Sequence, residues 1–120
     1  MQQPTALKLS AAAGFLAVAL GAFGAHALKS TLAAHQTAAI WETAVFYHLI
    51  HALLLFFLAN SQPFQRGPWF CFAVGILIFS GSLYVLALSG ARHWGAVTPF
   101  GGVSLLAGWF WLLFTRARTT

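Results

Sequence analysis

Long apolar runs separated by short polar breaks set the pattern of this chain. The first run, residues 9–28, follows Lys8 and holds about 20 residues, enough at 1.5 Å rise per residue to cross a hydrocarbon core of roughly 30 Å. Three similar runs follow at about 41–59, 69–88 and 97–114. Asn60-Ser61-Gln62-Pro63 closes the second run with turn-forming residues, and Ser89-Gly90-Ala91-Arg92-His93-Trp94 separates the third from the fourth. Pro68-Trp69 opens the third with a helix-start proline and a tryptophan suited to the headgroup boundary. Lipid offers the backbone no hydrogen-bond partner, so each run must satisfy itself as a helix, and no barrel-like alternation is present. The pattern predicts an all-α fold: an integral membrane four-helix antiparallel bundle, one membrane domain over residues 1–120.

Two segments need separate treatment. Lys8, the first run and Ala25-His26-Ala27 resemble a cleavable signal peptide with a small-x-small site. The run is long for that role and the remainder is itself membranous, so a retained span is expected. Between the first two runs, Leu32, Gln36 and Ile40 recur every fourth residue in an alanine-rich stretch from Lys29, which predicts a short helix in the interface.

Composition sharpens the picture. The 120 residues are 60% hydrophobic and 6% charged, too few charges to wet a soluble surface. Six basic residues face one acid, Glu42, for a net charge of +5, yet the basic residues are scattered singly, so no nucleic-acid partner is expected. Cys71 stands alone in an apolar run, which excludes an intramolecular disulfide framework and a multi-cysteine zinc site. Lys8, Arg66, Arg116 and Arg118 fall on the side of the termini, and Lys29 and Arg92 on the other, which favours cytoplasmic termini. Arg116 and Arg118 are expected to anchor the fourth span in the headgroups.

Within a membrane, helices associate through small residues and occasional hydrogen bonds, because lipid solvates leucine as well as a neighbouring helix does. Ala13, Ala17, Gly21 and Ala25 form such a strip on the first span, and Ser104 and Gly108 repeat it on the fourth. Gly101-Gly102 behind Pro99 predicts a bend or a partly unwound turn.

Polar groups in a span are expensive to insert, so their placement is informative. Antiparallel threading puts His26, Glu42, Ser80, Ser82, Tyr84 and Thr98 on the side of Lys29 and Arg92, with Tyr47 and His51 deeper, a polar layer filling half the membrane. His51 lies about 13 Å below Glu42 at helical rise and on the opposite helix face, so the two do not form a relay along one helix. Glu42 is better matched to Lys29 or His26, as an ion pair or hydrogen bond near the interface. His51 fits either a bond to another helix or a titrating or ligand-binding role. His35, His48 and His93 stand outside the candidate set.

The stretch from Gly21 to Lys29, Tyr47 with His51, Phe79-Ser80-Gly81-Ser82-Leu83-Tyr84, Thr98-Pro99-Phe100-Gly101-Gly102 and Gly108-Trp109 resemble the YgdD/YwdK-like family of small bacterial inner-membrane proteins, bacterial relatives of transmembrane protein 256. The resemblance covers nearly the whole chain and implies a four-helix fold and a bacterial inner-membrane location, but no reaction. His48 departs from it, standing where that family commonly has glutamine, and so does Phe46, where a polar residue is frequent.

The favoured function is a non-catalytic accessory, structural or lipid-facing bundle, with the bilayer, other membrane proteins or further copies of itself as partners and no cofactor. Against it stands a small oligomeric transporter or channel with Glu42, Tyr47 and His51 lining a polar cavity, although discontinuous helices are lacking except at Pro99–Gly102. A haem or metal protein with His26 and His51 as ligands is a third reading. No nucleophile–base pair, paired carboxylates or phosphate-cradling loop points to an enzyme.

Overall fold

The computed structural model describes residues 1–115 and contains helices α1 (Gln3–Ala25), α2 (Lys29–His35), α3 (Ala38–Ala59), α4 (Arg66–Gly75), α5 (Gly81–Ser89) and α6 (Thr98–Leu113). A π turn, Ile76–Ser80, joins α4 to α5 without interruption, so Arg66–Ser89 is one span of 24 residues. A 3₁₀ turn, Arg92–Ala96, leads into α6. Four helices are long and apolar enough to cross a membrane: α1, α3, α4–α5, and Arg92–Leu113 including α6. Arg116 and Arg118, the expected anchors of the fourth span, lie outside the described residues.

The first span starts earlier than residue 9 because Pro4 sits within its first two positions, where a missing N–H and a fixed φ favour helix initiation. It also stops at Ala25, short of Leu28, since His26 leaves helical geometry at φ −126°, ψ −83°. The expected interfacial helix is present as α2, seven residues ended by Gln36 in the left-handed region at φ 55°. It docks by burying Leu32, and the Ala87 carbonyl of the third span accepts Thr37 Oγ1–H at 2.7 Å.

Spans two and three form the middle of the bundle, with 39% of their most apolar stretch buried against 17% for spans one and four. Span one packs along span two, and span four along span three. One apolar cluster, built on Leu55, Leu58, Trp69, Phe72, Ile76 and Leu105, fills the half of the bundle nearest the termini. A smaller one, Leu32, Trp41 and Ala87, closes the opposite end.

The bend expected at Gly101-Gly102 is absent: α6 runs unbroken through both glycines. The departure from α geometry occurs in span three instead, at the π turn facing them. A Cβ on Gly101 would come within 2.7 Å of the Phe79 Cα and 2.8 Å of the Ile78 carbonyl carbon, so this glycine admits the neighbouring backbone rather than bending its own. Gly108 likewise accepts the Phe72 ring, which a Cβ would approach at 2.7 Å.

Candidate functional site

Between the two apolar clusters the polar side chains divide into separate joints. His51, buried on α3, is bonded through both ring nitrogens. Its Nδ1 lies 2.7 Å from the Tyr47 carbonyl oxygen and its Nε2 lies 3.1 Å from Trp109 Nε1 on α6. A carbonyl only accepts and an indole N–H only donates, so His51 is neutral here, protonated at Nδ1 and accepting at Nε2. The ring is covered by Phe72 at 5.6 Å and Trp109 at 6.0 Å, centroid to centroid, and Tyr47 stacks beside it.

The second joint uses His48, whose Nδ1 is 2.8 Å from the Tyr84 hydroxyl on α5. Tyr84 packs in turn on Trp41, ring centroids 4.8 Å apart, and the Trp41 indole N–H donates to the Leu20 carbonyl of span one at 2.9 Å. Gly24 makes that bond possible, because any Cβ there would fall on the Trp41 indole.

The π turn supplies the third. Ser80 and Ser82 are two residues apart and so point to nearly opposite sides of their helix. Ser80 Oγ donates to the Ala44 carbonyl of span two at 2.8 Å, whereas Ser82 Oγ meets Thr98 Oγ1 of span four at 2.6 Å.

The expected residues therefore do not share one cavity. Tyr47 and His51 face Phe72, Phe79 and Trp109, Tyr84 faces His48 and Trp41, and Ser82 with Thr98 forms its own pair. His26 is exposed at the end of α1, apart from His51, so the two ligands of the haem reading are not brought together. Glu42 is exposed, and neither Lys29 nor His26 bonds it among the described residues; it borders a groove with Gly21, Gly24 and Trp41. Among the described residues no three His, Cys, Asp or Glu side chains converge as metal ligands would.

The half-membrane polar layer also needs extending. Trp69 Nε1 donates to Ser10 Oγ at 3.0 Å, Ser104 Oγ to the Cys71 carbonyl at 2.7 Å, and Gln3 Nε2 to the Ala59 carbonyl at 2.7 Å, all in the half nearer the termini. Ser104 thus acts as a donor as well as a small residue. In the first-span strip, Ala17 is fully buried and a Cβ on Gly21 would meet Val45 Cγ1 at 3.2 Å, but Ala13 is half-buried and Ala25 exposed, so only the middle of the strip packs closely.

His48, Trp41, Trp69 and Trp109 were not among the expected residues. The signal for the tryptophans was available: an indole N–H inside a span needs an acceptor. For His48 it was masked by the departure from glutamine, although an amide also offers both a donor and an acceptor.

Helices of spanning length, joined by hydrogen bonds across their interfaces and exposing apolar side chains outward, define a multi-pass α-helical membrane protein. Residues 20–102 match the family model described as "Protein of unknown function (DUF423)". The chain is 46% identical over 117 residues to the UPF0382 inner membrane protein YgdD of Escherichia coli K12, covering 93% of this chain and 88% of that protein. It is 41% identical over 117 residues to the UPF0382 membrane protein YwdK of Bacillus subtilis, covering 92% and 94%, and 38% identical over 115 residues to the UPF0382 membrane protein SH2409 of Staphylococcus haemolyticus, covering 92% and 93%. The chain belongs to this UPF0382 family of membrane proteins. No solved structure matches it.

Proposed function

We propose that this protein is a non-catalytic bundle whose buried polar side chains serve to assemble its helices, a membrane component that works through its surfaces rather than through a reaction centre. The carrying observation is His51: both ring nitrogens are engaged, one by its own helix and one by span four, which leaves neither for a proton relay or a metal. The remaining joints support the same reading, since no buried side-chain nitrogen or oxygen among the described residues lacks a hydrogen-bond partner. Such interhelical bonds contribute on average about 0.6 kcal/mol in membranes and up to roughly 1.7, so several together suffice to fix which helix faces meet.

The test is thermal unfolding in detergent of His51→Ala and Tyr84→Phe beside a cellular phenotype of the deletion strain. Both variants are expected to melt earlier and to lose function only as far as they lose folded protein. A variant that melts normally yet abolishes the phenotype overturns the reading, as does proton or solute flux in proteoliposomes that His51→Ala removes.

A further inference from the structure

Spans one and three both lean on span two, and between their outer sides runs a groove of about 530 Å³. Leu9, Leu16, Trp69, Val74, Gly81 and Tyr84 are among the residues that wall it. Along span three it extends from Trp69 to Tyr84, about 22 Å at helical rise, more than the roughly 15 Å of hydrocarbon that one leaflet of a ~30 Å core supplies. Its lining is almost wholly apolar, and the polar tips of His48 and Tyr84 at its inner part are turned to each other. There is open space as well: a Cβ on Gly81 would meet nothing within 4 Å.

The mouth nearest the termini has the opposite character. Met1 lines it, and Arg66, exposed, donates from Nε to the Met1 carbonyl at 3.1 Å. Lys8, also exposed, precedes the groove residue Leu9. The single acidic side chain, Glu42, is at the other end of the bundle, so among the described residues no carboxylate side chain lies near these cations. An apolar slot of leaflet length with uncompensated cations at its headgroup end complements a molecule with one hydrocarbon chain to insert and a negative charge at its head.

We infer that the groove between spans one and three is a binding site for an anionic phospholipid, with an acyl chain lying along span three toward Gly81 and Tyr84 and the phosphate held at Arg66 and Lys8. The site does not rest on the assembly role proposed above: it borders the His48–Tyr84 and Trp69–Ser10 joints, whose polar atoms are turned to each other, and offers the occupant only their apolar sides. The occupant differs from the surrounding lipid in being held at both ends: the chain by the groove and the head by charge.

The experiment is native mass spectrometry of the full chain in mild detergent, offered phosphatidylglycerol, phosphatidylcholine or an isoprenoid quinone. One phosphatidylglycerol is expected to be retained about 25-fold more strongly than phosphatidylcholine, about fivefold for each of the two basic residues near the headgroup. Gly81→Phe, which fills the inner end, is expected to reduce retention of both phospholipids by about tenfold. Arg66→Gln should cut this preference about fivefold while the chain still binds, and Arg66→Gln combined with Lys8→Gln should bring the two phospholipids to parity. Gly14→Leu, at another open position that lies outside the groove, should change nothing. If Gly81→Phe does not fold by circular dichroism, Val74→Trp on the groove wall takes its place. Equal retention by wild type and the groove-filling variant, absence of headgroup preference, or retention of the quinone over both phospholipids would each overturn the assignment.

Discussion

The Tyr84 hydroxyl and the His48 imidazole stand 2.8 Å apart in the middle of the bundle, joining spans two and three. Position 48 therefore requires hydrogen-bonding capacity rather than a titrating group. His48→Gln, which keeps a donor and an acceptor, is expected to melt within about 0.5 kcal/mol of wild type, whereas His48→Leu strands the tyrosine hydroxyl and should lose roughly 1–2 kcal/mol. Thermal denaturation in detergent, followed by circular dichroism, distinguishes the two; equal losses would show that the ring's shape matters more than its nitrogen.

A second expectation concerns coupling across the bundle. Trp109→Phe removes the indole N–H that His51 Nε2 accepts, so the cycle with His51→Ala should be non-additive by about 0.5–2 kcal/mol. Four melting curves measure it, and additive losses would mean that the bond contributes nothing.

Gly101 and Gly102 are neighbours in sequence with opposite tolerances. A Cβ at Gly101 collides with the Phe79 backbone, while one at Gly102 reaches only the Phe79 ring at 3.7 Å. Gly101→Ala is expected to destabilise by roughly 2–4 kcal/mol or to prevent assembly, and Gly102→Ala to change stability by less than about 1 kcal/mol. Fluorescence-detected size exclusion with heating would separate them. Similar behaviour of the pair would refute the close approach.

How much of this was legible beforehand varies with the physics involved. Length and hydropathy are local, so the four spans were readable, with errors confined to ends such as Gln3 and Ala25, where capping geometry decides. The π turn was not readable, because its residues Ile76–Ser80 are ordinary helix formers and its close neighbour, Gly101, comes from another span. Depth correctly placed Ser82 near Thr98. Depth alone cannot tell which side of span two each partner occupies, so Tyr84 and His51 fall in one polar layer by sequence while they serve different neighbours in the structure. Trp109 comes from the half of its span nearer the termini, outside that layer.

Glu42 supplies a prediction in the negative direction. Because it is exposed and bonded to neither Lys29 nor His26, Glu42→Gln should shift stability by no more than about 0.5 kcal/mol. A drop of several degrees in the melting temperature would reveal a structural ion pair there.

Sidedness is open to a direct measurement. Lys8, Arg66, Arg116 and Arg118 against Lys29 and Arg92 favour the cytoplasm for both ends of the chain. Reporter fusions at the amino end and at Ser61 should read cytoplasmic and one at Ala91 should read external; the reverse result would invert the orientation while leaving the bundle intact.

The interlock of Gly101 with the Phe79 backbone constrains how this protein can move. Sliding span four along span three by one helical turn would bring Val97 or Leu105, four residues from Gly101 on the same face, to that point, and neither side chain has room against the Phe79 backbone. The two helices must therefore travel as one rigid piece. Any rearrangement is confined to the seam with spans one and two, which is crossed by the single-bond joints of His48, His51, Ser80 and Trp69 and by the Thr37 bond to Ala87.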